Sequence, residues 1–213
     1  PIIALPSDIE LALLNSSNLV EWWRPDSGYN DTTGEWLGRK ANTRLYQNAP
    51  GSISRTAGSL GLDVVRRTLA ETSPIYTVLL TPPDQNLWPI TGGYTFVYVV
   101  SQRRRLPALA AGLWCNAVSA GAYMGLAAET NPEALTVRHS GLVVQAAPTE
   151  PVQLETPVVL IWSFDYTDRV GRWLNSAGET ILESPQVASN NIPTNQRLTL
   201  FGNRDDTNTF IAA

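Results

Sequence analysis

The amino-acid sequence predicts an all-β fold, in which two antiparallel sheets pack as a sandwich behind a short N-terminal helix. Residues 158–164 (VVLIWSF) are β-branched, aliphatic or aromatic except for Ser163, a pattern typical of a strand covered on both faces. Residues 94–100 carry apolar side chains on both alternating faces and are therefore predicted to lie in a sheet interior. Glycine and proline interrupt the alanine-rich segment 108–147 too often for long helices, so four successive strands are expected there.

The stretch 158–182 is the predicted centre of the fold. Turn-forming residues at 165–168 end its first strand, and residues 171–175 resume an extended pattern. Residues 175–178 (NSAG) tolerate positive φ, so residues 179–182 are expected to turn back and pair antiparallel as a hairpin. This hairpin is expected to contribute core strands to the sandwich.

Local signals predict the remaining elements in chain order. Ser7 and Glu10 have the spacing of a capping box ahead of an apolar stretch, which favours a helix over residues 7–14. Residues 19–26 (LVEWWRPD) are predicted as the first strand, with one of the two adjacent tryptophans partly exposed because their side chains alternate. Shorter strands are expected at residues 44–47, 60–66, 113–117, 122–127, 135–139, 142–146 and 197–202.

Length and composition favour a single large domain. A chain of 213 residues with 43% hydrophobic residues is sufficient for one all-β core. The proline-rich interval 148–157 is too short to separate two cores. Residues 1–18 are therefore expected to form an arm, and residues 19–213 the sandwich.

Charge and cysteine content argue against several classes of protein. The chain has 15 basic and 19 acidic residues and a formal net charge of -4, whereas nucleic-acid binding needs a basic face. The cluster at residues 103–105 (RRR) is interpreted as a solvated strand end or a protein interface. Cys115 is the single cysteine, which is compatible with folding in a reducing compartment. No apolar run approaches the roughly 20 residues of a membrane span, and the first residues lack the basic region of a secretory signal.

Several motifs resemble one protein family. The segments LVEWWRPD, FDYTDRVGR and WLNSAG are similar to those of the laminin-G-like branch of the concanavalin A-like lectins. The segments EWLGRK and LTLFG, the latter followed by an Asp/Asn-rich loop at residues 203–209, add to the likeness. The resemblance implies a jelly-roll sandwich of a kind also found in phage and other virion structural proteins. It also implies a last strand, so the edge at residues 210–213 (FIAA) is expected to be completed by further chain or by a neighbouring subunit.

Candidate ligand-binding residues are chosen for their chemistry. Sugar rings are commonly held by an aromatic face and polar loop groups. Tryptophans beside loops and aspartates of the acidic turn meet that description: Trp36, Trp88, Trp173, Asp165 and Asp168. Calcium is implied by the resemblance as an optional cofactor, and its oxygen ligands would be Asp205, Asp206 and Asn208. Ordinary turn chemistry explains the last three residues equally well.

The sequence lacks a recognisable catalytic set. Sandwich glycosidases need two suitably spaced carboxylates, and the Glu-x-Asp-x-x-Glu strand motif of the family is absent. By strand parity, Glu179 and Glu183 would form such a pair only if the strand continued past Leu182. His139, the single histidine, is expected to be a turn or core residue rather than part of a Ser-His-Asp system. Phosphate loops, dinucleotide fingerprints and zinc clusters are also missing, so a non-enzymatic protein is expected.

Two classes of function remain. The first is a structural component of a larger assembly, in particular a phage or virus particle, which contacts other subunits or further copies of itself. The second is a free-standing lectin-like module for cell-surface carbohydrate, and a sandwich-fold glycan-active enzyme is a weaker alternative. The missing secretory signal, the missing catalytic set and the open C-terminal edge favour a virion location and the first class, or a combination of the two in which the structural module also binds carbohydrate or serves in adhesion. Neither nucleic acid nor a membrane is an expected partner.

Overall fold

The computed structural model describes residues 7–47, 53–58, 63–67, 79–82, 85, 87, 91–100, 112–116, 124–127, 135–139, 142–146, 158–188 and 198–200. Within these residues the protein is mostly β, with three antiparallel sheets and one short helix. The predicted all-β class is therefore confirmed at this level.

The elements are short and follow the order of the chain. The helix α1 spans Ser7–Asn15. The strands of the first half are β1 (Tyr29–Asn30), β2 (Glu35–Leu37), β3 (Arg44–Gln47), β4 (Ile53–Ala57), β5 (Asp63–Arg67), β6 (Leu79–Leu80) and β7 (Gly93–Val100). Those of the second half are β8 (Gly112–Asn116), β9 (Met124–Ala127), β10 (Leu135–His139), β11 (Leu142–Ala146), β12 (Val158–Asp165), β13 (Val170–Leu174), β14 (Thr180–Glu183) and β15 (Thr199–Leu200).

The strands form one large and two smaller sheets. The nine-stranded sheet has the order β1-β2-β3-β6-β15-β8-β9-β10-β11, and the four-stranded sheet has the order β14-β13-β12-β7. β4 and β5 form a separate two-stranded ribbon. β15 pairs with both β6 and β8, so a segment near the end of the chain joins two earlier parts of the large sheet.

The predicted central hairpin is confirmed. β13 pairs antiparallel with β12 on one side and β14 on the other, and Trp162 lies opposite Trp173. Asn175 closes the turn, because its Oδ1 accepts the backbone N–H groups of Ala177 and Glu179 at 2.9 Å each. Gly178 has a φ of 83°, which glycine adopts without a steric penalty. The turn-forming residues identified in the sequence therefore form the predicted reversal between β13 and β14.

One hydrophobic cluster joins the two larger sheets. Trp162, Phe164 and Trp173 contribute from the four-stranded sheet, and Leu45 and Leu79 contribute from the nine-stranded sheet. Trp162 and Trp173 meet edge to face with their ring centroids 5.6 Å apart, a geometry that adds to the gain from burial. Residues from distant parts of the chain thus share a single core.

Most predicted strands are confirmed with small differences in their bounds. β10 and β11 have the predicted bounds, and the strands predicted at 158–164, 171–175 and 94–100 correspond to β12, β13 and β7. The helix ends one residue later than predicted, at Asn15. The expected closing strand at residues 210–213 lies outside the described residues, as does the basic cluster at residues 103–105.

The prediction of a strand over residues 19–26 is wrong. Arg24 forms an isolated bridge with Ser27, and the preceding residues of the segment have no strand pairing. The Glu21 carboxylate, rather than a neighbouring strand, accepts backbone N–H groups from residues 40–43. Side-chain hydrogen bonding therefore replaces the expected backbone ladder.

The two adjacent tryptophans in that segment are both half-buried, so the argument from alternating strand faces does not apply to them. Trp23 packs against the core cluster, and its Nε1 donates to the backbone oxygen of Thr43 at 3.1 Å. Trp22 lies under the Arg24 guanidinium, whose carbon is 5.2 Å from a ring centroid. This distance suits a cation–π contact.

The prediction that β12 is covered on both faces is also wrong. Trp162 and Phe164 on its inner face are buried, but Val159 on its outer face is 50% exposed. Within the described residues β7 pairs only with β12 and stands at the end of the sheet rather than in its interior. The outward side chain of Val97 on β7 is 63% exposed. The sheet therefore has one buried face and one open apolar face.

Candidate functional site

The two described tryptophans among the candidate sugar-binding residues lie in the core. Trp36 packs edge to face on Tyr29 at 6.0 Å between centroids, and its Nε1 donates to the Arg24 backbone oxygen at 2.9 Å. Trp173 packs on Trp162 from the neighbouring strand. Both side chains are buried, so neither ring offers a free face for a sugar. This placement does not agree with the predicted binding role.

The acidic turn between β12 and β13 is organised by its own side chains. The Asp165 Oδ1 accepts the Thr167 backbone N–H at 2.6 Å, and the Asp168 Oδ1 accepts the Val170 backbone N–H at 3.0 Å. Arg169 adopts a φ of 58°, in the left-handed region. The two aspartates predicted as ligand residues thus stabilise the turn that carries them.

Arg172 connects this turn to the hairpin. Its guanidinium donates to the Asp168 carboxylate and, through Nε, to the Glu183 Oε2 at 2.9 Å. The hydrogen bond from Arg172 holds the pKa of the Asp168 carboxyl below its usual value, and the same bond raises the pKa of Arg172. An aspartate in this state remains ionised and neutralised by its partner. It is poorly suited to act as a general acid.

The candidate catalytic carboxylates are separated by their contacts. Glu179 lies in the turn before β14, and its Oε2 accepts the Asn175 Nδ2–H at 2.8 Å. Glu183 is at the far end of β14 and pairs with Arg172. β14 continues past Leu182 to Glu183, but it begins at Thr180 and leaves Glu179 outside the strand. Each carboxylate has a structural partner instead.

Several candidates lie outside the described part of the protein. Residues whose structure is not described include Trp88, Asp205, Asp206 and Asn208. The backbone of His139 ends β10 and that of Cys115 lies in β8, and nothing is described of either side chain. Among the described residues, no group of three or more metal-ligating side chains occurs, and no helix is long and apolar enough to cross a bilayer.

Sequence reasoning missed a carboxylate held by backbone amides. Glu21 Oε1 accepts the Lys40 N–H at 2.7 Å, and Oε2 accepts the Thr43 N–H at 2.8 Å and the Ala41 N–H at 3.1 Å. A Cβ on Gly38 would lie 2.1 Å from the Glu21 carboxyl carbon, which explains the glycine at that position. We call this arrangement the Glu21 clamp. The signal in the sequence was Gly38 itself, followed four residues later by Asn42, a turn-forming residue whose φ is 56°.

Sequence reasoning also missed an exposed apolar surface on the outer face of the four-stranded sheet. Val97 and Val99 on β7 are 63% and 69% exposed, and Ile181 on β14 is 63% exposed. The pairing of β7, β12, β13 and β14 in one sheet joins these positions into one surface. We call it the outer patch, and its members are Val97, Val99, Val159, Ile161, Leu174 and Ile181.

A polar row borders the outer patch. Thr95, Ser163, Arg172 and Glu183 lie side by side on successive strands, each paired in register with the next. The Thr95 Oγ1 and the Ser163 Oγ are 3.1 Å apart, and Arg172 pairs with Glu183. The polar row and the outer patch together cover the outer face, and the described positions of this face carry no aromatic ring.

Comparison with known proteins gives little beyond this geometry. No family model and no curated protein matches the sequence. Among solved structures, a protein of unknown function from Shewanella oneidensis is similar with 10% sequence identity, 94% coverage of this chain, 88% coverage of that chain and a TM-score of 0.39. The site must therefore be interpreted from its own residues.

Proposed function

We propose that this protein is a non-enzymatic structural module of a larger assembly, in particular of a phage or virus particle. In this proposal the two larger sheets form a jelly-roll sandwich around the shared core, as the family resemblance implies. The protein acts by presenting surfaces to neighbouring subunits rather than by transforming a substrate.

The observation that carries the proposal is the outer patch. Soluble monomers seldom leave a sheet face of several adjacent β-branched residues open to water, and such surfaces commonly mark protein interfaces. Val97, Val99 and Ile181 are each more than half exposed although β-branched residues are favoured inside proteins. Contact with another protein would remove this apolar area from water.

The described polar candidates support the same conclusion, because each of them already has a structural partner. Asp168 and Glu183 share Arg172, Glu179 pairs with Asn175, and Asp165 accepts a backbone N–H group of its own turn. A general acid–base pair needs at least one carboxyl group that reaches a substrate. Every described candidate instead stabilises local structure.

Two assays on the purified chain test the proposal together. Native mass spectrometry at increasing protein concentration is expected to show oligomers, and a panel of glycan, ester and phosphate substrates is expected to show no hydrolysis. Hydrolysis that disappears on replacing Glu179, Glu183 or His139 would contradict the proposal. Saturable glycan binding by a monomer would favour the lectin alternative instead.

A further inference from the structure

We propose that the outer patch is a homotypic interface, at which the four-stranded sheet packs face to face on the same sheet of a second copy. This inference rests on the proposed assembly function and names the surface through which copies meet. A two-fold interface uses one surface patch twice, so the patch must be complementary to itself.

The chemistry of the outer face restricts the partner. Lipid headgroups and nucleic acids need a basic surface, whereas Arg172, the one cation that borders the patch among the described residues, is already paired with Asp168 and Glu183. A sugar needs an aromatic platform, and the described positions of this face carry none. A flat layer of valine, isoleucine and leucine instead suits another sheet of the same kind.

The order of the strands makes the face self-complementary about a two-fold axis parallel to the strands. Such an axis places β7 against the partner's β14 and β12 against the partner's β13. Val97 then faces the second copy's Ile181, so apolar residues meet apolar residues.

The polar row is compatible with the same axis, because a rotation about the strand direction keeps each residue at its own height along the strands. Arg172 then lies opposite the second copy's Ser163, and Glu183 lies opposite the second copy's Thr95. No charge faces its own copy. The arrangement therefore avoids the like-charge contacts that oppose association.

The area of the outer face limits how tightly two copies can bind each other. Two of the four strands have eight residues. At about 3.4 Å per residue and about 4.8 Å between strands, the face covers at most roughly 500 Å². Stable interfaces bury about 800 Å² on each partner, so this contact belongs to the weak class. The isolated chain should form a reversible dimer at roughly micromolar concentrations or above, and an assembly would strengthen it by presenting many copies.

Sedimentation velocity over a concentration series tests the inference with matched variants. Val97→Glu and Val159→Glu each place a charge in the proposed contact and should raise the dimer dissociation constant roughly a hundredfold. Leu11→Glu is the control, because Leu11 on α1 is 59% exposed, as Val97 is 63% exposed, but lies outside the sheet. Near-ultraviolet circular dichroism should be the same for all three variants, since each replaced side chain is exposed.

The outcomes separate this inference from the proposed function. One outcome is that the wild type self-associates and that Leu11→Glu alone, or all three variants equally, weaken the self-association. In either case the outer patch is not the interface, although the assembly function stands. If the wild type stays monomeric throughout, the homotypic interface is excluded, and the glycan and substrate assays then decide the function.

Disulfide trapping tests the predicted two-fold axis. In a Cys115→Ser background, Val97→Cys and Ile181→Cys proteins are mixed and oxidised. Within one molecule these positions are three strand spacings apart, about 14 Å, which is too far for a disulfide. A crosslink between the two different variants is expected, with little crosslinking of either variant alone. Crosslinking of Val97→Cys only with itself would contradict the proposed axis.

Discussion

The N-terminal region and the four-stranded sheet are stabilised in different ways. In the N-terminal region, residues 7–43, charged side chains and backbone amides make directed contacts, whereas apolar residues of α1 such as Ile9 and Leu11 remain exposed. In the sheet, the buried aromatic rings of β7, β12 and β13 pack together in the core cluster. Polar contacts thus attach α1 and the segment around Glu21, whereas Tyr29 and Trp36 of the N-terminal region share the core cluster with the sheet.

The polar contacts of α1 explain how a helix with exposed apolar residues is attached. Glu10 pairs with Arg24 at 3.2 Å and also with Arg39. The Lys40 Nζ donates to the backbone oxygens of Leu14 and, at 3.1 Å, of Ser16, which satisfies carbonyl groups at the helix end. The helix therefore depends on charge pairing rather than on a buried apolar stripe.

The largest loss of stability is expected on removal of a buried side chain from the four-stranded sheet. Trp162→Ala should lower the free energy of unfolding by about 3–5 kcal/mol, because it leaves a cavity between Phe96 and Trp173. Chemical denaturation would measure this loss. Val97→Ala, on the opposite face of the same sheet, is the control and should cost far less. Similar costs for both variants would show that the outer face is buried as well.

The second-largest effect is expected at alkaline pH, which should destabilise the four-stranded sheet. Burial raises the pKa of Tyr166 to about 12 and raises that of Tyr94 further. Since the ordinary value is about 10, the stability due to these groups is fully present below pH 10. It falls by roughly 1.4 kcal/mol per pH unit for each tyrosine as the pH rises toward the folded value.

Thermal unfolding at pH 9, 10 and 11 measures this loss, and tyrosinate absorbance follows the ionisation. Tyr166→Phe removes the ionising group and should reduce the slope of stability against pH. An unchanged slope in that variant would mean that Tyr166 ionises normally in the folded protein.

The N-terminal region should respond most to loss of the Glu21 clamp. Glu21→Gln places an amide N–H₂ group among backbone donors and should cost about 2 kcal/mol. Gly38→Ala should act in the same direction, because the new Cβ overlaps the carboxylate. Glu35→Gln, which removes an exposed ion pair with Arg44, is the control and should cost less than about 1 kcal/mol.

A smaller, salt-dependent effect is expected at α1. Glu10→Gln removes the partner of Arg24 and Arg39 and should destabilise the helix by about 1 kcal/mol at low ionic strength. Hydrogen exchange of the α1 amides at low and high salt would measure it. The loss of stability caused by Trp162→Ala should not change with salt concentration. If Glu10→Gln and Trp162→Ala depended on salt equally, the two regions would not differ in how they are stabilised.

The difference between the regions also explains what the sequence could predict. Residues 158–164 and 94–100 encode strands by local composition, and the turn at Asn175 and Gly178 encodes the reversal, so β7, β12 and β13 were found. The Glu21 clamp joins residues about 20 positions apart in the chain, and no local pattern encodes a carboxylate bound to amides. Residues 19–26 were consequently assigned to a strand.

The candidate site was predicted less well for a related reason. Trp36 and Trp173 lie beside loops in the sequence, but burial depends on what the rest of the chain places over them. Composition also gave no reason to treat the two faces of β12 differently. The outer patch could not be predicted because strand pairing, rather than local sequence, places Val97, Val159 and Ile181 on one surface.

Hydrogen exchange of the wild type and Glu21→Gln gives the most direct test that the two regions are stabilised separately. In the variant, the amides of Lys40, Thr43 and α1 should lose protection, whereas those of Trp162 and Trp173 should exchange as in the wild type. Equal loss of protection in β12 and β13 would contradict the account, because the two regions would then open as one unit.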